Sequence, residues 1–188
     1  TMNEIVNFDM GGICVYSLDK YHAKAKPDRF LADGNAEWDS KSYTIIGGMI
    51  ESYKLQKSKE VLPDLVNAFM QSSIIKNRFD AIVPIPSSSK TLHIDSIAKE
   101  IASQLNIDYC ECLTKNTDIE MKYLTDSERK AQPDFILCSD KIKQYKSILL
   151  IDDIIKTGKT ITNCVNSIKK QNSNCTITGF AFCRGMKT

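Results

Sequence analysis

No window of this 188-residue sequence approaches the roughly 18–20 apolar residues of a membrane span, so no membrane-crossing helix is expected. An excess of one charge is missing too. The 25 basic and 23 acidic side chains leave a net +2, too little for bulk electrostatics to draw the chain to nucleic acid or an anionic membrane. Cysteine pairs at zinc-finger spacing are absent. The seven cysteines (Cys14, Cys110, Cys112, Cys138, Cys164, Cys175 and Cys183) form no CxxC, and several sit in apolar runs such as "FILCS" and "GFAFCR". There a thiol acts as a small buried hydrophobe. Cys110 and Cys112 are close enough in sequence to share a metal, yet no second pair follows them. The opening "TMNEIVNFDM" carries acids and no long apolar run, so no secretory signal is expected. From these absences a soluble, cytoplasmic protein with reduced thiols is expected.

What is present has the balance of a folded domain, 42% hydrophobic and 26% charged. The length suits one domain over residues 1–188 with a core of its own. "GGICVYSLDKY" reads as a strand entered from the Gly11-Gly12 turn, and "KPDRFLADGNAEWDSKS" as polar and turn-rich. Ile46, Met49, Ile50 and Tyr53 recur at helical spacing, though Gly47-Gly48 weakens that helix by about 1 kcal/mol per glycine. Val61, Leu62, Leu65, Val66, Phe69 and Met70 mark a second amphipathic helix with Pro63 near its start.

From residue 80 the pattern is regular. "DAIVPIP" is a buried strand, and "HIDSIAKEIASQLN" a helix with Ile94, Ile97, Ala98, Ile101 and Leu105 on one face. "IDYCECL" alternates like a strand, residues 114–133 have no period, "KSILLIDD" is a buried strand, "TITNCVNSIKK" a helix and "CTITGFAFC" a last strand. This alternation predicts an α/β fold around a mainly parallel sheet flanked by helices. Ligands of such sheets bind beyond the carboxyl ends of the strands, where "VPIPSSSK" and "LLIDDIIKTGKT" place their polar residues.

The second of these ends in Gly158-Lys159-Thr160, like a P-loop, but the pattern GxxxxGK[ST] needs glycine where Asp153 stands. A carboxylate there would repel phosphate. In P-loop proteins the magnesium-binding aspartate also comes from a separate strand. What remains is a strand, the acidic pair Asp152-Asp153 at its tip, a short loop, and a helix beginning near Thr160. Loop and helix N–H groups can cradle one phosphate, Gly158 admits close backbone approach, and Thr157 and Thr160 add hydroxyls. Two carboxylates nearby suit a vicinal diol, because each accepts hydrogen bonds from hydroxyls. A ribose 5-phosphate offers both groups.

"ILLIDDIIKTGKT" resembles the phosphoribosyl pyrophosphate (PRPP) motif of the type I phosphoribosyltransferases: four apolar residues, two acids, two apolar residues and a Thr- and Gly-containing loop. Lys156 stands where that family usually has a small residue. The order of "YTIIGGMIESYKL", "DAIVPIP", "TKNTDIEMKYLTDSERKAQPDF" and the motif resembles the ComF-type, competence-associated members, over roughly residues 43–184. Two of their features are missing: a cysteine-rich zinc segment near the start, and an Arg-Gly-Phe-Asn-Gln stretch replaced by "SSSKTLHID".

The resemblance implies a type I phosphoribosyltransferase-like fold with a small N-terminal hood over residues 1–45 and a PRPP-binding core over 46–188. It implies that Asp152 and Asp153 hold the ribose diol and help bind Mg2+, itself held largely through PRPP. Lys156, Thr157, Gly158, Lys159 and Thr160 would hold the 5-phosphate, and Ser87, Ser88, Ser89 and Lys90 the pyrophosphate. Lys115, Lys122 and Arg129, in a loop over 114–133, would serve catalysis by meeting the leaving group. The products would be pyrophosphate and a ribosylated nitrogenous base or amine. Trp38, Tyr43 or Tyr53 could stack on that acceptor, although single aromatics are more often core, and His22 and His93 read as surface or capping residues. A homodimer is compatible with this reading. Because the stretch after Pro86 departs from the family, the rival expectation is a regulatory protein that senses PRPP or a nucleotide without chemistry.

Overall fold

A computed structural model of the chain describes residues 6–21, 29–30, 36–37, 44–55, 59–87, 94–115 and 136–185. The chain enters through a hairpin, strand β1 (Val6–Met10) and strand β2 (Ile13–Tyr21), joined by Gly11 and Gly12. Both glycines have positive φ (62° and 79°), the conformation a tight two-residue hairpin turn requires. A two-residue pair follows, β3 (Arg29–Phe30) with β4 (Ala36–Glu37).

Helix α1 (Ile45–Leu55) survives its two glycines. Thr44 caps it, its hydroxyl accepting the Gly47 N–H at 3.1 Å and donating to the Lys20 carbonyl at 2.7 Å. Ile46, Ile50 and Tyr53 are buried at the spacing the sequence indicates. Helix α2 (Leu62–Met70) carries Pro63 in its first turn and buries Leu65, Val66 and Phe69. Strand β5 (Ala81–Pro84) is buried throughout, and α3 (Asp95–Leu105) ends on Asn106 in the left-handed conformation.

"IDYCECL" is not one strand. Asp108–Tyr109 (β6) joins the central sheet, whereas Leu113–Lys115 (β7) pairs antiparallel with Ile136–Cys138 (β8). The alternation is that of two short ladders with different partners. Strand β9 (Ser147–Ile155), helix α4 (Lys159–Gln171) and strand β10 (Thr176–Gly185) complete the order.

The six-stranded sheet runs β1-β2-β10-β9-β5-β6, every neighbouring pair parallel except the β1–β2 hairpin. Residues 6–21, inside the stretch expected as a hood, thus extend this sheet. One face is covered by α1, α2 and α3 over a core that includes Ile50, Phe69, Ile97, Leu149 and Phe180. The other is covered by α4, with Ile161, Cys164, Val165 and Ile168 against Ile148 and Leu150. No helix among the described residues is long and apolar enough to cross a membrane.

Candidate functional site

From β5 the chain moves outward through α3 to β6, and from β9 outward in the other direction through α4 to β10. The carboxyl ends of β5 and β9 therefore flank a topological switch point, where helices leave on opposite sides and open a crevice. The two strands end at different heights. Strand β5 stops with Pro84 opposite Ile151, and the Ile85 N–H makes one more bond to the Ile151 carbonyl before Pro86. Strand β9 runs on to Ile155, held by β10 through the pairing of Arg184 with Ile155. The acidic pair consequently lies inside the strand and past the end of its β5 neighbour, not at the tip the sequence suggested. Prolines at 84 and 86 explain the early stop, since each lacks the N–H that would continue a ladder.

Successive strand residues point to opposite faces, and the two carboxylates meet different neighbours. Asp153 faces α1 and forms an ion pair with Lys54 at 2.7 Å. Asp152 lines a cavity of about 180 Å3 with Ile154, Ile155, Lys156, Thr157, Gly158, Thr160 and Ile161. Burial, and next the charge of Asp153, push the Asp152 carboxyl well above the usual carboxylate range, and the Lys54 cation offsets part of this. Asp152 accepts the Asp153 N–H at 2.8 Å, and Asp153 accepts the Ile154 N–H at 2.6 Å.

The loop between β9 and α4 turns on Gly158, with φ of 80°. A side chain there would be strained, and the end of the Met10 side chain would have to move aside for it. The hairpin thus seats directly on the loop. The Gly158 carbonyl accepts both the N–H and the hydroxyl of Thr162, at 3.0 and 2.8 Å. Thr157 accepts the Lys159 N–H at a long 3.4 Å. The capping position itself supplies no side-chain hydrogen bond. That arrangement points first-turn N–H groups and the positive helix end toward the cavity that Asp152 borders.

Of the residues singled out in the sequence, Asp152, Lys156, Thr157, Gly158 and Thr160 come together around this cavity. Asp153 is adjacent but turned to Lys54. Lys159 is exposed in the first turn of α4, and Ser87 is exposed where β5 ends. Lys156 lies along Gly185 at the end of β10. Lys115, at the end of β7, is half-buried on the α4 side, where its charge reaches Cys164. Ser88, Ser89, Lys90, Lys122 and Arg129 lie outside the described residues, as do His22, Trp38, Tyr43 and His93; Tyr53 is a core residue of α1.

Two participants escaped the sequence reading. Lys54 looks like an ordinary cation in the last turn of a helix. Only the packing of α1 against the sheet brings it to Asp153. Met10 carried no expectation in the sequence, and the β1–β2 hairpin makes it a neighbour of Gly158.

No family model matches the chain, and no curated protein matches it. Among solved structures it is similar to a xanthine-guanine-hypoxanthine phosphoribosyltransferase of Helicobacter pylori, at 11% identity over 72% of this chain and 86% of that one, with a TM-score of 0.39. It is also similar to an orotate phosphoribosyltransferase from Aeropyrum pernix (13% identity, 83% and 72% covered, TM-score 0.38). A third is an adenine phosphoribosyltransferase from Leishmania tarentolae (10% identity, 95% and 94% covered, TM-score 0.44).

Proposed function

We propose that the crevice between β5 and β9 binds PRPP and that the protein transfers its ribose 5-phosphate to a nitrogenous base or amine, releasing pyrophosphate. The observation that carries this reading is one cavity bordered by both Asp152 and the loop that opens α4. A ligand filling it needs an anionic group for the helix terminus and hydroxyls for a carboxylate, both of which a ribose 5-phosphate carries. The ComF-type subtype is part of the proposal and rests on the sequence pattern alone.

In this reading the 5-phosphate takes the N–H groups around Gly158 to Thr160, with the Thr157 and Thr160 hydroxyls and the exposed Lys156 and Lys159 beside it. The ribose diol donates to Asp152 and Asp153. The ionised Asp152 accepts hydrogen bonds at both oxygens, so a diol bound there favours the ionised form over the protonated one that burial favours in the free protein. Lys54 keeps Asp153 oriented and balances its charge. Substitution then occurs at the ribose C1: the bond to the pyrophosphate oxygen breaks, the acceptor nitrogen bonds to C1, and its excess proton leaves.

Magnesium fits the donor set as a companion of the ligand. Asp152 and Asp153 are hard oxygen donors, while no group of three or more His, Cys, Asp or Glu among the described residues could hold a metal ion unaided. They would hold the ion largely through PRPP oxygens, and its chemistry when bound is to neutralise charge on the pyrophosphate. Lys115, Lys122, Arg129 and Lys90, with Ser87, Ser88 and Ser89, are proposed to meet the same leaving group. A homodimer and a cytoplasmic location are further parts of the proposal.

Pyrophosphate release from PRPP and magnesium, measured across a panel of bases and amines, tests it. Release that depends on one acceptor supports the transferase. PRPP binding without release under any acceptor would make the protein the sensor that the altered stretch after Pro86 suggests.

A further inference from the structure

Three thiols gather where the β7–β8 pair meets the central sheet. Cys110 continues the central ladder, its N–H donating to the Ile82 carbonyl at 2.9 Å. Two residues on, the Cys112 carbonyl accepts the Ser139 N–H at 2.8 Å, which extends the β7–β8 pairing. Cys112 and Cys138 thus sit at the base of one hairpin, with sulfurs 3.9 Å apart in hydrogen-bonding contact. Cys110 and Cys112 are buried, whereas Cys138 is half-buried and reachable from solvent. Two other cysteines, Cys164 and Cys183, are fully buried, and burial pushes each thiol up to about 12. They are inert by comparison.

We infer that Cys138 and Cys112 form a thiol modification site, which peroxides oxidise to a disulfide across the base of the β7–β8 hairpin. The sulfurs are already in contact, so side-chain rotation with small backbone adjustment brings them to bonding distance. The cluster also divides the two roles. The hydrogen-bonding contact with Cys112 draws the Cys138 thiol down toward the thiolate that attacks peroxide. Cys112, shared first with Cys110 and then with Cys138, is pushed up and keeps its proton. Cys110 is drawn down to about 7, chiefly by its hydrogen bond with Cys112 and further by the Lys141 cation.

The chemistry balances. The Cys138 thiolate attacks one oxygen of hydrogen peroxide, the O–O bond breaks, and a sulfenic acid and hydroxide form. The hydroxide takes up a proton to become water. The Cys112 sulfur then attacks the sulfenic sulfur, its own proton leaves with the departing hydroxide as a second water, and the S–S bond closes. Two thiols lose two electrons and one peroxide gains them.

The test treats the reduced full chain with hydrogen peroxide, blocks the remaining thiols with N-ethylmaleimide, and maps the product by mass spectrometry. The expected result is a mass loss of about 2 Da before blocking, two fewer blocked thiols, a Cys112–Cys138 linked peptide, and reversal by dithiothreitol. Cys138→Ser should retain all its remaining thiols at the same dose, and Cys14→Ser should oxidise like the wild type. A different linked pair would overturn the inference, as would a gain of about 32 Da on Cys138 with no link. So would zinc found at one equivalent in the reduced protein and shielding Cys110, Cys112 and Cys138 from the blocking reagent. The wild-type map decides even if a variant fails to fold.

Discussion

The Asp152 carboxyl carries the most specific chemistry of any single residue in the cavity. Its pKa in the folded chain is raised, by burial and then by Asp153, so the folded state favours the protonated form. The stability this confers is complete below the ordinary carboxylate range and is lost as pH rises through the raised folded value. Denaturant unfolding across a pH series should therefore show stability falling over that window, and Asp152→Asn should flatten the slope and stabilise the free protein at neutral pH. Binding runs the other way. A ribose diol donates better to the ionised carboxylate, so at a pH below the raised folded value ribose 5-phosphate should bind with proton release, visible as a dependence of calorimetric heat on the buffer's ionisation enthalpy. Asp152→Asn should abolish both the proton release and the binding; a folded variant that binds with unchanged affinity would remove the diol from this residue. Lys54 gives a second residue-scale expectation. Its pair with Asp153 is partly exposed, at 32% and 22% for the two side chains, so Lys54→Met should cost only about 0.5–1 kcal/mol of stability. The larger effect should be weaker ribose 5-phosphate binding, because Asp153 would lose the partner that orients it.

At the scale of elements, the strand–loop–helix unit β9–α4 was legible in the sequence because two independent signals coincided there. A continuous apolar run gave the buried strand, and a polar loop with one glycine gave the turn into an amphipathic helix. The height at which the neighbouring strand stops was less legible, since it depends on which strand pairs with which. "IDYCECL" misled for the same reason: period-2 alternation says that residues are extended, not which ladder they join. The strand Val6–Met10 alternates correctly, with Val6, Phe8 and Met10 apolar, but five residues are too short a run to stand out beside the clear Gly11-Gly12 turn. Gly158 ties these elements together. Gly158→Ala places a side chain at a left-handed φ, at a cost of roughly 1–2 kcal/mol, and moves the end of the Met10 side chain aside besides. Adding Met10→Ala should remove that contact and leave the dihedral cost. Thermal unfolding should thus rank the double variant below Met10→Ala by the dihedral cost, and Gly158→Ala below the wild type by at least that much. Ribose 5-phosphate affinity should fall with both Gly158 variants, since the added carbon stands where backbone must approach the phosphate.

For the whole molecule, the proposed ligand site follows from the mainly parallel sheet and its switch point, whereas the choice between the proposed transferase and a sensor rests on groups from other parts of the chain. Lys54 illustrates how much of that choice is tertiary: α1 and β9 are about a hundred residues apart in sequence and meet only because α1 packs across β10 and β2. Lys122 and Arg129, outside the described residues, are proposed to carry the remaining distinction. If they meet the departing pyrophosphate, their attraction grows as negative charge builds on it, so they act more strongly in the transition state than on bound PRPP. Lys122→Ala and Arg129→Ala should then each lower kcat by on the order of 10²–10³ while changing PRPP affinity far less. Turnover from pyrophosphate release and affinity from calorimetry, on the same preparations, separate the two quantities. A sensor would lose affinity alone, having no turnover to lose. A wild type that turns over beside two variants of undiminished rate would instead move the charge stabilisation to Lys90 and the serines that follow β5.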